Sequence, residues 1–210
     1  INIKHATSVC NGTAALHLAL SVLSLKEGDE IIVPTLTYIA SVNAISYVGA
    51  KPVFVDSDIL SWNIDVSLIE SAITPKTKAI MAVHLYGNPC SMDEIISICK
   101  KYNIFLIEDA AEAIGGKYKE QYVGSFGDIS AFSFFGNKTI TTGEGGMIVT
   151  RSKKYLNRAF YLKNQAVSEA VIVGVPDEDG LIRLALFIVV PGLTGPTEEF
   201  EKELTAALKQ

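Results

Sequence analysis

No run of apolar residues in this chain is long enough to cross a bilayer. The longest extends only from Leu184 to Val190 in a β-rich context, whereas a spanning helix needs about 20 such residues. Nothing at the start pairs a charged stretch with an apolar one, so no secretion signal is expected. Cysteine is scarce: Cys10, Cys90 and Cys99 are odd in number and lack the spacing of metal ligands. That excludes a disulfide framework and a metal centre, and predicts three small buried hydrophobes in a reducing cytoplasm. A basic stripe is also missing. The formal net charge of -5 is spread without blocks of one sign, which argues against nucleic acid and anionic membrane as partners and requires a local site for any small anion.

The 210 residues, 49% of them hydrophobic, suffice for one core and a small appendage. Short apolar runs alternate with longer helical patterns: Ala6 to Val9 leads into Thr13 to Leu23, Glu30 to Val33 into Tyr38 to Val48, Pro52 to Val55 into Val66 to Ala72, and Lys78 to Val83 into Met92 to Tyr102, with Ile104 to Ile107 following. The pattern predicts an α/β chain with a mostly parallel sheet covered on both faces. Ligands of such sheets gather at the carboxyl ends of the strands.

The suggestive residues fall at those ends. Asn11-Gly12-Thr13 joins the first strand to the first helix. Glycine admits a close backbone approach, and the amides with the Thr13 hydroxyl suit a phosphate; the same triplet also reads as a plain helix cap by Asn11 or Thr13. Asp109, in Glu108 to Glu112, ends a buried strand. It could keep a heteroaromatic nitrogen protonated, or equally cap the segment that follows. Tyr38, just past Val33, could stack on a flat ring or belong to the core. His84 reads as a structural histidine satisfied by backbone, and stays outside the catalytic set. The strongest signal is Phe132 to Gly146, which places Lys138 on a turn among aromatics and glycines between two apolar runs. A lysine held there loses part of its hydration, which favours the neutral amine that forms a Schiff base with an aldehyde. A solvated loop lysine is the bland alternative.

A phosphate cradle, a stacking aromatic, a buried aspartate and an activated lysine together meet the needs of pyridoxal 5'-phosphate. In this order they resemble the large domain of the DegT/DnrJ/EryC1/StrS sugar aminotransferases. The resemblance is carried by Cys10 to Leu16, Thr37 to Ser41, Val83 to Gly87, Glu108 to Glu112 and the lysine turn, and covers residues 1 to about 163. It implies a three-layer αβα large domain of the aspartate-aminotransferase kind (fold type I of the pyridoxal-phosphate enzymes). It also implies that Gly12, Thr13 and Ser133 bind the cofactor phosphate, Tyr38 stacks on the ring, Asp109 pairs with the ring nitrogen, Glu112 lies near the ring hydroxyl, and Lys138 binds the aldehyde. Lys138 and Asp109 are the implied catalytic pair. The implied reaction moves an amino group from a donor such as glutamate to the 4-keto carbon of a nucleotide-linked 4-keto-6-deoxy sugar, with GDP-4-keto-6-deoxymannose favoured, in a cytoplasmic homodimer. Asn137 and Glu144 flank the lysine and could meet sugar hydroxyls.

The resemblance also sets limits. Family members carry a segment before the first strand, and beyond Asn164 they continue into a further helical region and a small C-terminal domain. A truncated or fused domain that folds without turning over is therefore the alternative reading. Residues from about 167 to 210 form a second expected unit: two apolar strands on either side of the run Gly174 to Gly180, with turn chemistry at Pro176 to Gly180 and the second strand at Arg183 to Val190, then a helix from Thr197 to Lys209. This β-β-α tail resembles a piece of the C-terminal domain of AMP-forming acyl-CoA synthetases, without that family's lysine segment. No catalysis is assigned to it, and a ligase function ranks lowest.

Overall fold

The computed structural model describes residues 1–165, 169–176 and 182–189. Seven strands make the main sheet: β1 (His5–Val9), β2 (Glu30–Pro34), β3 (Lys51–Val55), β4 (Thr77–Val83), β5 (Phe105–Asp109), β8 (Ile129–Ser133) and β9 (Gly146–Thr150), in the order β1-β9-β8-β5-β4-β2-β3. β6 (Lys117–Tyr118) and β7 (Gln121–Tyr122) pair only with each other. The run from β3 to β8 is parallel. β9 is antiparallel to both β8 and β1, because the chain returns from β8 through the lysine loop rather than through a crossover helix.

The buried strands lack polar alternation because both faces are covered. β2 and β8 are buried at every position. Alternate residues serve opposite layers: Ile32, Ile80, Ala82 and Leu106 pack with Met92, Ile95, Ile98 and Cys99 of α4 (Met92–Tyr102) and Ile69 of α3 (Val66–Ile69). Their neighbours Ile31, Val33, Met81 and Ile107 are equally buried on the other face, where α1 (Gly12–Val22) and α2 (Ile39–Tyr47) pack on each other. The result is helix, sheet, helix. α4 shows why such a helix forms and stops: Asp93 and Glu94 lie in its first turn, Lys100 and Lys101 in its last, and Asn103 closes it in the left-handed region, each favourable to the helix dipole or the C-cap.

Two expectations need correction. Val66 to Ala72 is not one α-helix; α3 gives way to a 3-10 turn over Glu70–Ala72 and the run ends at extended Ile73, ahead of Thr74, where Pro75 disfavours helical backbone. Cys10 is exposed, unlike Cys90 and Cys99, because it lies in the bend between an edge strand and α1.

The chain divides into two compact units, Ile1–Phe160 and Tyr161–Gln210, with the division inside α5 (Lys153–Gln165). In the second unit, β10 (Glu169–Pro176) and β11 (Ile182–Val189) pair antiparallel, from Glu169 with Val189 to Pro176 with Ile182. Asp177 to Gly180 of the expected turn, Val190, and the expected helix from Thr197 to Lys209 lie outside the described residues.

Candidate active site

Strand direction gathers the site. β1 and β8 both run opposite to β9, and Val9 and Ser133 each pair with Gly146, so the carboxyl end of β1 joins those of β2, β4, β5 and β8 at one edge. There a cavity of about 360 Å³ is lined by all seven residues expected of a cofactor site: Gly12, Thr13, Tyr38, Asp109, Glu112, Ser133 and Lys138. Asn137, Glu144 and His84 line it too.

At the start of α1, Asn11 Oδ1 accepts the Ala14 amide at 2.8 Å, so the cap falls to Asn11. Gly12 and Thr13 face the cavity. A Cβ on Gly12 would sit 2.7 Å from Ser133 Cβ and 3.0 Å from its Oγ; only glycine lets the helix N-terminus approach the end of β8 this closely. Two hydroxyls beside helix amides suit a phosphate.

Asp109 is buried at the end of β5. Its Oδ2 accepts the Ser41 hydroxyl at 2.7 Å and its Oδ1 the Ala111 amide at 3.2 Å. Ser41 in turn lies 2.9 Å from Thr37 Oγ1; because its proton goes to the carboxylate, Thr37 donates to it. Burial pushes the Asp109 carboxyl above its ordinary value, partly offset by the Ser41 hydroxyl, the Ala111 amide and the Lys138 charge. Each carboxylate oxygen thus accepts one hydrogen bond, and the side chain also lines the cavity. Tyr38 precedes α2 and is 74% exposed: its ring is on the cavity wall and not in the core.

Lys138 sits on a turn closed by its own amide on the Phe135 carbonyl, inside a loop pinned by Phe134 to Gly145 and Thr142 to Phe134. Its side chain is only 16% exposed, and its Nζ lies 3.3 Å from Glu112 Oε1. The other Glu112 oxygen accepts the Tyr86 amide at 2.9 Å.

One buried network here escaped sequence reading. Glu108 Oε1 accepts the Phe126 and Gly127 amides and the Ser130 hydroxyl, and Oε2 accepts the Gly124 amide at 2.7 Å and faces His84 Nε2 at 3.1 Å. His84 Nδ1 accepts the Cys90 amide, so the ring proton is on Nε2 and is donated to Glu108. Burial raises the Glu108 carboxyl, but the His84 hydrogen bond and the Gly127 and Gly124 amides outweigh it and leave it below its ordinary value. His84 is thus satisfied by backbone on one side, as expected, and by a carboxylate on the other. Thr37 and Ser41 belong to a segment that carries the resemblance, but no role was assigned to either; the local signal is two hydroxyls at i, i+4. Among the described residues, no cluster of side chains could hold a metal, and no helix is long and apolar enough to cross a membrane.

The parallel sheet with a lysine, an aspartate and a phosphate-type helix start at one edge defines the large domain of a fold type I pyridoxal-phosphate enzyme. The chain belongs to the DegT/DnrJ/EryC1/StrS aminotransferase family, whose model matches residues 1–173. Pyridoxal phosphate is the cofactor of that family. A GDP-perosamine synthase of Escherichia coli O157:H7 is 63% identical over 167 residues, which are 80% of this chain and 46% of the relative. The aminotransferase of Psychrobacter cryohalolentis superposes with a TM-score of 0.77 at 42% identity, covering 79% of this chain and 42% of that one. A GDP-4-keto-6-deoxymannose-3-dehydratase solved with a trapped PLP-glutamate geminal diamine has a TM-score of 0.75 at 35% identity, covering 79% and 45%. The chain thus spans less than half the length of these relatives.

Proposed function

We propose that this chain is the cofactor-holding part of a sugar aminotransferase, one that takes pyridoxal phosphate and moves an amino group from glutamate to the 4-keto carbon of a nucleotide-linked 4-keto-6-deoxy sugar. GDP-4-keto-6-deoxymannose is the favoured acceptor, by similarity to the perosamine synthase. The observation that supports this most is the meeting of Lys138, Glu112, Asp109 and the Gly12-Ser133 approach in one cavity.

The residues fit the cofactor. Gly12, Thr13 and Ser133 would hold its phosphate, Tyr38 would cover a ring face, Glu112 would lie near the ring hydroxyl, and Lys138 would hold its aldehyde carbon. When bound, the cofactor supplies an electron sink for the charge left as a carbon beside the amino group loses its proton. Asp109 would accept a hydrogen bond from the ring nitrogen and keep it protonated, with Ser41 fixing the carboxylate's angle. Lys138 Nζ, freed when the donor amine takes its place, would take the proton from the donor carbon and return one to the product. Asn137 and Glu144 would meet sugar hydroxyls. Residues 1 to about 163 would carry this site, 167–210 would be a separate element, and two copies would associate as a homodimer.

The test adds pyridoxal phosphate to purified protein, follows the absorbance, reduces with borohydride and maps the labelled peptide. Label on Lys138 is expected. Label elsewhere, or none, would refute the assignment.

A further inference from the structure

Glu112 pairs with Lys138 through one oxygen and is held by main chain through the other. Glu112 has two oxygens, and the Tyr86 main-chain N–H takes one of them at 2.9 Å. Tyr86 makes this bond from a left-handed backbone, φ 51 and ψ 26. A non-glycine residue rarely holds this conformation unless its surroundings enforce it. Tyr86 gains little enforcement from its own ring, which is 77% exposed.

The enforcement comes from Asn63, which is 2% exposed. Its Nδ2 donates to the carbonyls of Asn88 and Pro89 at 3.0 and 3.1 Å, and its Oδ1 accepts the Leu85 amide at 3.2 Å. Three bonds from one amide thus bracket Tyr86 on both sides. Asn88 returns the contact, donating from Nδ2 to the Ser61 carbonyl at 3.0 Å. The loop that presents Asn63 is itself stiff: Asp58 Oδ1 accepts the Leu60 and Ser61 amides, the Asp58 amide donates to the Asn63 carbonyl, and the Trp62 amide donates to the Asp58 carbonyl.

We propose that Asn63 is a positioning residue for Lys138: by clamping the turn around Tyr86 it aims the Tyr86 N–H at one Glu112 oxygen, and so presents the other oxygen to the lysine Nζ. The inference rests on the reading of Lys138 as the reactive amine, and it adds that this amine is held, through Glu112 and the braced turn around Tyr86, by a loop after β3. Without the clamp, Tyr86 relaxes to ordinary backbone, its N–H turns away, and Glu112 is free to rotate out to solvent. The sole tryptophan, Trp62, adjoins Asn63 and reports on the loop.

Lysine reactivity measured without added cofactor tests this. The protein is modified with limiting acetic anhydride, and the rate at Lys138 is taken by peptide mass spectrometry relative to exposed Lys26. Glu112→Gln removes the partner outright and should raise the Lys138 rate roughly fivefold, the factor matching about 1 kcal/mol of pairing. Asn63→Ala should raise it by a comparable factor, and Asn88→Ala, an exposed change on the same brace, roughly twofold. Trp62 fluorescence and a thermal melt show that each variant is folded; if Asn63→Ala is not, Asn88→Ala decides. A folded Asn63→Ala with an unchanged Lys138 rate beside a raised Glu112→Gln rate would overturn the positioning role. An unchanged Glu112→Gln rate would overturn the ion-pair restraint itself. Failure of pyridoxal phosphate to label Lys138 would instead refute the cofactor assignment and leave these rates meaningful.

Discussion

Glu108→Gln isolates the worth of the buried network beside Asp109. The substitution keeps the size and one oxygen. With that oxygen left on the Phe126 and Gly127 amides and the Ser130 hydroxyl, the new NH2 faces the Gly124 amide and His84 Nε2–H. His84 cannot escape by moving its proton, since its Nδ1 already holds the Cys90 amide. Two buried donors lose their acceptor, at about 1–3 kcal/mol each, so a loss of about 4 kcal/mol is expected at pH 7. A thermal melt should fall by roughly 8–16 °C, at about 2–4 °C per kcal/mol for a domain of this size. The pH dependence has a definite sign. Glu108 is held below its ordinary value in the folded chain, so its contribution is complete above the unfolded carboxyl value of about 4.3 and is lost as pH falls through the folded value. The gap between parent and variant should therefore be widest above about pH 5 and should narrow below about pH 4. Amide exchange at Gly124, Phe126 and Gly127 places the effect in the first unit and not in the β10-β11 pair. A variant within 1 kcal/mol of the parent at pH 7, or a gap that stays constant as pH falls, would refute the account.

Gly12→Ala should leave the fold standing but push α1 off the end of β8, because its Cβ would lie 2.7 Å from that of Ser133; equilibrium dialysis should show pyridoxal phosphate binding weakened by at least about tenfold, near 1.4 kcal/mol. Cys10 should react at once with a thiol reagent at pH 8, whereas Cys90 and Cys99, buried and each pushed up to about 12, should react only as the protein unfolds; early modification of either would contradict the core packing. Asp109→Asn should keep the melt close to that of the parent, since its oxygen can keep the Ala111 amide while its NH2 donates to the Ser41 hydroxyl, which turns its own proton to Thr37, while transamination in a chain active to begin with falls by about 100-fold or more. Equal rates would make Asp109 a cap alone.

The alternation of strands and helices was legible because buried parallel strands must read as unbroken apolar runs. Glu30–Pro34 and Thr77–Val83 appear within a residue or two of where their composition put them. The lysine loop was legible for a different reason, since glycines and aromatics crowd around a single lysine. What composition could not reveal was sheet edge and pairing sense. Nothing in Ala6 to Val9 says that its partner is Gly146 to Val149, antiparallel and more than 130 residues away. That pairing, and not the local motif, carries Asn11-Gly12-Thr13 to the lysine loop.

The site's polar wiring was hidden by the same distance in sequence. Ser41 reaches Asp109 across 68 residues, and Glu108 gathers donors 16 to 24 residues away. Single serines and glutamates carry no periodic signal, so only their burial marks them. At Asp109 the geometry shows the local hydrogen bond of the cap reading and leaves room for the ring partner of the other. Cap and ring partner need not exclude each other. In the structure Oδ1 takes the Ala111 amide while Oδ2 takes the Ser41 hydroxyl, and each carboxylate oxygen offers two acceptor positions. The Ala111 amide and the Ser41 hydroxyl hold the carboxylate at both oxygens while the side chain lines the cavity. A carboxylate capped in this way is better prepared to meet a ring nitrogen than a free one, because the reorientation it would otherwise undergo has already been prevented by its neighbours.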